Sequence, residues 1–183
     1  REDALSVLKQ ALDLAPEHPA LLRARVGLHR EGDDPFDFAD ALERLLPATS
    51  GTEAIRLAKD LADHRASVFD IDGEVRALQI GYRVSADPGL GDRLTALLVG
   101  RNDYPALVDH LEQSASTKIG REAVERLCEA ARLSVEKLSD APRAVGLLQR
   151  ARTWGEPDAA TVLLYVDALA AAGRMPEAFE ELE

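Results

Sequence analysis

Three carboxylates surround one glycine in the run Asp70-Ile71-Asp72-Gly73-Glu74, which begins like a calcium-binding loop. Such a loop needs further oxygen ligands at fixed spacing and a distal glutamate that binds through both of its oxygens. The match to a calcium-binding loop ends after the two aspartates. We therefore expect a solvated turn in which Asp72 caps the helix that follows.

The other residues that could do chemistry are dispersed along the chain. No two histidines stand four residues apart, as two metal ligands on one helix face would. The histidines are His18, His29, His64 and His110. Cys128 lies on the apolar stripe of a predicted helix, which indicates a buried, inert thiol, and no serine has a Gly-x-Ser-x-Gly setting. The sequence therefore predicts no metal, no cofactor and no enzymatic activity.

Two short segments have the composition of ligand-binding loops, but their context favours structural roles. Gly89-Leu90-Gly91 is half of a phosphate-binding pattern with no strand before it, so we expect a turn between repeats. The acidic run Asp33, Asp34, Asp37 and Asp40 is typical of a helix N-terminus, where carboxylates favour the positive end of the dipole. The alternative is that this acidic patch contacts a basic partner.

Composition excludes several classes of partner. The 183 residues carry a formal net charge of −11 and only 4% aromatic residues. Phosphate repulsion therefore argues against nucleic acid, and the same charge argues against an anionic membrane surface. No apolar run approaches the roughly 20 residues of a membrane span. The single cysteine excludes an intrachain disulfide and favours a reducing compartment such as the cytoplasm.

The elements that must position any site are helices. Apolar residues recur at spacings of three and four throughout, and prolines and glycines interrupt them. The pattern predicts about eleven helices, among them 2–14, 19–30 and a longest helix over 119–138. Ser50 and Glu53 form a capping-box pattern, and Pro105, Pro142, Pro157 and Pro176 stand where further helices open.

An Ala followed by a large or branched apolar residue returns along the chain at steps of 37, 36, 29, 38 and 34 residues. Its copies begin at Ala4, Ala41, Ala77, Ala106, Ala144 and Ala178. A helical period in the mid-thirties is typical of stacked hairpins. The set Ala4, Leu8, Ala11 and Pro16 resembles the second helix of a tetratricopeptide repeat, as does the set Ala144, Leu148, Ala151 and Pro157. Gly173 followed by Glu177-Ala178 resembles the turn of the last hairpin.

The resemblance implies an all-α fold, a right-handed α-α superhelix (solenoid) of stacked helical hairpins that forms one domain over 1–183. The expected hairpin regions are 1–16, 17–47, 50–88, 89–116, 117–156 and 157–183. In this family the first helices of the hairpins line a concave groove that holds a protein or peptide. Co-chaperone members grip a terminal carboxylate with Lys and Asn, and Asn102, the sole Asn, lies at a turn, so we do not expect that clamp.

The resemblance therefore implies a protein–protein interaction scaffold. Cations on the predicted first helices are candidate contacts for a partner's carboxylates. They are Arg23, Arg30, Arg56, Lys59, Arg93 and Arg126. The alternative is a sensory or regulatory ligand-binding repeat domain that controls an attached output domain.

The chain begins with Arg1, inside a predicted helix, so we expect it to be a segment of a larger protein whose targeting signal lies elsewhere. The first and last helices carry apolar residues such as Val7, Phe179 and Leu182. A terminal repeat without a polar capping helix exposes such a face. Self-association through these ends is therefore expected.

Overall fold

The computed structural model describes residues 2–30, 35–155 and 157–182, apart from the side chains of Glu2, Arg30, Pro35 and Phe36. Within these ranges the chain forms α-helices and one 3₁₀ turn (Leu46–Ala48), and no strand. The helices are α1 (Glu2–Leu14), α2 (Pro19–Arg30), α3 (Pro35–Leu45), α4 (Gly51–Ser67), α5 (Ile71–Ser85), α6 (Pro88–Arg101), α7 (Tyr104–Ser116), α8 (Gly120–Glu136), α9 (Ala141–Arg152), α10 (Ala159–Ala171) and α11 (Met175–Glu180). The predicted all-α fold of about eleven helices is confirmed. No described helix is both long and apolar enough to cross a membrane.

Prolines set several helix starts, because the first turn of a helix tolerates a missing N–H. Pro105, Pro142 and Pro176 lie at the first or second position of α7, α9 and α11, as predicted. Pro157 was expected to open a helix and does not. It precedes Asp158, which is the N-cap of α10.

A left-handed residue recurs at the turns that lead into α5, α7, α9 and α11. The residues with positive φ at these turns are Phe69, Asn102, Ser139 and Gly173. The next residue is the N-cap of the helix, at 70, 103, 140 and 174. The N-caps therefore repeat at steps of 33, 37 and 34 residues, which is the structural period of this part of the chain.

Three of these N-caps are aspartates whose carboxylates accept a backbone N–H in the first turn. Asp70 accepts the N–H of Gly73 at 2.8 Å, and Asp103 and Asp140 make the same bond three residues ahead. The sequence-based prediction that Asp72 caps this helix is therefore wrong. The left-handed backbone at Phe69 starts the helix two residues earlier and places Asp72 inside its first turn.

Two other local predictions also differ from the structure. Ser50 is the N-cap of α4, but its side chain makes no capping hydrogen bond, so the expected capping box is not formed. Gly89-Leu90-Gly91 lies in the first turn of α6 instead of forming a turn between repeats. Gly91 is needed there because a β-carbon would stand 2.8 Å from the ring of Tyr82.

Small residues let the helices approach closely, and leucines fill the space between them. A β-carbon on Gly81 of α5 would lie 2.3 Å from the β-carbon of Ala58 on α4. Ala58, Ala62 and Leu78 are fully or almost fully buried in this contact region. This packing explains why Ala and Leu dominate the composition and why few aromatic residues are needed.

The chain divides into two compact units, residues 1–94 and 95–183. In the first unit α2 packs on α3 and α4 packs on α5; in the second, α8 packs on both α7 and α9, and α10 packs on α9, α8 and α11. Each of these helices thus covers the apolar face of a neighbour in the sequence, as stacked hairpins require.

Candidate functional site

The sequence-predicted contact residue Arg23 is engaged within the chain. Its guanidinium on α2 donates two hydrogen bonds, of 2.8 and 2.7 Å, to the two carboxylate oxygens of Glu53 on α4. The hydrogen bond from Arg23 lowers the pKa of Glu53. Such fork-to-fork pairing fixes direction as well as distance, so Arg23 joins one hairpin to the next.

Arg93 on α6 makes a more extensive set of bonds. It donates two hydrogen bonds to one oxygen of Glu74 on α5, at 3.0 and 2.5 Å, and one of 2.5 Å to Asp63 on α4. Glu74 is buried, with 7% of its surface exposed. Arg93 is therefore the partner that compensates a buried carboxylate.

The remaining predicted cations are more open. Arg56 pairs with Asp60 at 3.2 Å and Arg126 with Glu129 at 3.7 Å, each within its own helix. Lys59 is exposed and makes no ion pair with any described residue. The side chain of Arg30 lies outside the described residues. Of the six candidates, two are thus tied to neighbouring helices and three face solvent.

Ion pairs of the same kind join helices in the second unit. On α9, Arg143 donates to Asp109 (2.6 Å) and Glu112 (3.0 Å) of α7, and Arg150 also donates to Glu112. Burial alone would raise the pKa of Glu112, but the hydrogen bonds from the two arginines lower it overall. Charged residues about one repeat apart therefore join the second helices of two successive hairpins, α7 and α9.

A cavity of about 580 Å³ lies between α8 and α10, the first helices of two successive hairpins in the second unit. We call it the α8–α10 groove. Its described lining comes from α8, from the end of α9 with the loop that follows, and from the start of α10. The lining residues are Arg121, Val124, Glu125, Cys128, Arg132, Ala151, Arg152, Trp154, Gly155, Pro157, Asp158, Ala160, Thr161 and Leu164. A volume of this size suits a small ligand or a few residues of a peptide.

The two first helices run in the same direction along the groove. Near one end the charge of Arg121 acts on Asp158, and further along Cys128 Sγ lies 3.6 Å from Thr161 Oγ1. The N-termini of α8 and α10, which carry the positive ends of the helix dipoles, therefore lie at the same end. Cys128 is half-buried and lines the groove, whereas the apolar stripe predicts a buried thiol.

The two carboxylates that line the groove each accept a hydrogen bond from within the chain. Glu125 accepts a hydrogen bond of 2.8 Å from Arg121. Asp158 caps α10 by accepting the N–H of Thr161 at 2.8 Å, and this backbone hydrogen bond lowers the pKa of Asp158. An incoming cation would therefore have to compete with bonds that are already made.

The cations of the groove are not all satisfied. Arg152 donates to Glu181, the C-cap residue of α11, at 2.6 Å and lies 5.1 Å from the ring centre of Tyr165. Arg132 is exposed and makes no hydrogen bond or ion pair within the described ranges. The described lining thus holds three arginines against two carboxylates, and Arg132 is the cation without a partner there.

Trp154 forms an apolar wall beside these charges. It is the single tryptophan of the sequence, and it remains 46% exposed although it lines the groove. Val124 and Leu164 add apolar surface from α8 and α10. A half-exposed indole in the same groove as an arginine without a described partner is a composition enriched in binding sites.

Two other cavities are less suited to a ligand. One of about 740 Å³ lies between α1, α2 and α3, and its lining cation Arg25 is already paired with Asp40 at 2.9 Å. One of about 310 Å³ beside Arg126 has three glutamates among its five lining residues, so its field is negative. No group of three or more His, Cys, Asp and Glu among the described residues could hold a metal ion.

Sequence reasoning placed Arg126 among the contact residues but not Arg132 or Trp154. The available signal was the sole tryptophan, at the end of a second helix and followed by Gly155. Such a residue has no partner in the helical pattern and can point into an inter-repeat space. Arg132 gave no signal by itself, because its lack of an ion pair is a property of the folded chain.

No protein-family model matches this sequence, and no curated protein matches it. Solved structures with a similar arrangement of helices include MamA protein, at 11% identity over 90% of this chain and 87% of that chain, with a TM-score of 0.46. A kinesin light chain of Podosopora anserina with nearly identical TPR-like repeats is 18% identical over 90% of this chain and 93% of that chain, with a TM-score of 0.44. PilW, a widely conserved type IV pilus biogenesis factor, is 12% identical over 98% and 82%, at 0.43.

Proposed function

We propose that this chain is a protein-interaction scaffold and that the α8–α10 groove binds a short segment of a polypeptide partner. The observation that carries the proposal is an open cavity of about 580 Å³ between two successive first helices. It combines a half-exposed indole with a cation that has no partner among the described residues. Stacked hairpins bury their own apolar faces on one another, so apolar surface that stays open in such a groove is available to a partner.

The length of the groove suits a peptide. Its lining on α8 runs from Arg121 to Arg132, which is about 16 Å at 1.5 Å per residue. An extended peptide covers that distance with about five residues. Arg126, which is partly exposed on α8, is proposed as a further contact for a longer segment. Arg56 and Lys59, which are exposed on α4, are proposed as contacts for a partner at the first helix of their own hairpin.

The test uses peptides selected for binding to the full chain from a displayed random library. Emission of Trp154 reports directly on the groove, because the protein has no other tryptophan. Ala160→Leu narrows the groove at an exposed lining position. Ala159→Leu is the matched control, because Ala159 is exposed on the same helix and does not line the cavity.

Selected peptides should change the emission of Trp154 and lose affinity in Ala160→Leu but not in Ala159→Leu. Peptides that bind both variants equally and leave Trp154 unchanged would show that the binding surface lies elsewhere. Circular dichroism of both variants should match that of the parent chain, since neither position is buried.

A further inference from the structure

We infer that the α8–α10 groove selects an acidic segment, in which a carboxylate pairs with Arg132 while a neighbouring apolar side chain packs on Trp154. The inference rests on the proposed function and adds the chemistry of the partner. Its basis is the pairing of the charged residues that line the groove. Glu125 and Asp158 each accept a hydrogen bond, whereas Arg132 makes no hydrogen bond or ion pair with a described residue.

The position of Arg132 strengthens the argument. Cys128 lies against Thr161, and Arg132 and Tyr165 each stand one helical turn further along α8 and α10. Arg132 is therefore on the same level as Tyr165, over whose ring the guanidinium of Arg152 lies. A carboxylate at this end of the groove would meet two guanidinium groups, one of them without a bond to any described residue.

The opposite end of the groove also favours negative charge. The N-termini of α8 and α10 meet there, and each contributes about half a positive elementary charge. Asp158 caps α10 and Glu122 lies in the first turn of α8, so carboxylates of the chain already use part of this field. An acidic peptide that lies along the groove therefore meets Arg132 at one end and two helix N-termini at the other, with apolar surface between them.

The net charge of the whole chain opposes the binding of an acidic peptide. At −11 the protein repels an acidic peptide at long range and attracts a basic one. Preference for an acidic peptide at Trp154 must therefore come from the local field of the groove. Non-specific attraction by the negative protein surface would instead make the basic peptide bind more tightly than the acidic one.

The experiment titrates the full chain with three capped pentapeptides, Asp-Leu-Asp-Leu-Asp, Asn-Leu-Asn-Leu-Asn and Lys-Leu-Lys-Leu-Lys, and follows Trp154 emission. The acidic peptide should give a saturable change at the lowest concentration, and raising the salt from about 0.1 M to about 1 M should weaken it. Arg132→Glu should weaken the acidic peptide about fivefold, as expected for one exposed charge pair.

Arg83→Glu is the control, because Arg83 is an exposed arginine on α5 and the substitution changes the net charge equally. It should alter the affinity less than twofold. Equal binding of the acidic and neutral peptides, or an unchanged affinity in Arg132→Glu, would overturn the inference. If such binding were still lost in Ala160→Leu, the proposed function would stand without its acidic selectivity. Absence of any Trp154 response to all three peptides would also overturn the inference, whereas the library selection decides the proposed function.

Discussion

Replacement of Arg93 by methionine tests whether this arginine serves the fold or a partner. Arg93 donates three hydrogen bonds to two carboxylates, Glu74 and Asp63, on the two preceding helices. Methionine keeps most of the apolar stem and the helix propensity but removes every bond. The variant leaves the carboxylate of Glu74, whose side chain is 10% exposed, buried without its cation.

The expected cost follows from burial. Removal of one partner from a buried ion pair costs about 3–5 kcal/mol. The side chain of Arg93 is 34% exposed, so water can reach part of the site and screens the loss. We therefore expect Arg93→Met to lower the free energy of unfolding by about 2–3 kcal/mol. For a chain of this length that loss corresponds to a fall in melting temperature of about 5–10 °C.

The assay is urea and thermal unfolding followed by circular dichroism, with hydrogen exchange to locate the weakened region. Arg83→Met is the control and should change the free energy of unfolding by less than about 0.5 kcal/mol, because Arg83 is exposed. The double variant Arg93→Met with Glu74→Leu should recover to within about 1 kcal/mol of the parent, since apolar residues can replace a buried pair. Parent-like stability of Arg93→Met alone would refute the structural role and leave Arg93 available to a partner.

Three further outcomes are expected. Phe69→Asn should raise the free energy of unfolding by about 0.5–1 kcal/mol. Phe69 is 90% exposed and holds a left-handed φ of 60°, which asparagine adopts more readily. A lower free energy of unfolding in chemical denaturation would contradict this. Gly81→Ala should cost about 1–3 kcal/mol, measured in the same way, since the added methyl meets Ala58 at 2.3 Å. The lowered pKa of Glu112 stabilises the fold above the ordinary value of 4.5, and this contribution is lost as the pH falls through the lowered value. Glu112→Gln should therefore show a flatter loss of stability below about pH 4.5, and a slope equal to that of the parent would contradict the assignment.

The number and limits of the helices could be predicted because they depend on local signals. Proline at a first turn and apolar residues at spacings of three and four act within one helix. The turn before α5 shows where such signals fail. Asp70 and Asp72 are equally good caps by composition, and a left-handed backbone at Phe69 decides between them. Phenylalanine is among the residues least expected in that conformation, so the sequence does not predict a left-handed backbone at this position.

The sequence predicts the repeat, but the recurring Ala does not keep a constant position relative to the N-cap of its helix. Ala77 lies seven residues after the N-cap Asp70, whereas Ala106 lies three after Asp103 and Ala144 four after Asp140. The period in the mid-thirties is real, yet the alanines occupy different places on their helices. Packing requires only a small residue where two helices approach, and it does not fix which turn of the helix supplies it.

The site was less predictable than the fold, because pairing between helices depends on their relative register. Arg23 and Glu53 are 30 residues apart, as are Asp63 and Arg93, and no local pattern shows that they meet. At Arg23 and Arg93, where the sequence predicts contacts for a partner, the structure has ion pairs between helices. The sequence could not single out Arg132, whose distinction is that its neighbours leave it without a bond.

The ion pairs between hairpins also bear on how the chain avoids folding in the wrong order. Repeats of similar shape can dock on a neighbour other than their own and become kinetically trapped. Here the ion pairs differ in their direction along the sequence. Arg23 pairs with Glu53 on a later helix, whereas Arg93 pairs with Asp63 on an earlier helix. A hairpin that docked one place out of order would bring unlike partners together and leave a carboxylate such as Glu74 buried without a cation. The opposite directions of these two pairs make a misplaced hairpin energetically distinct from a correctly placed one.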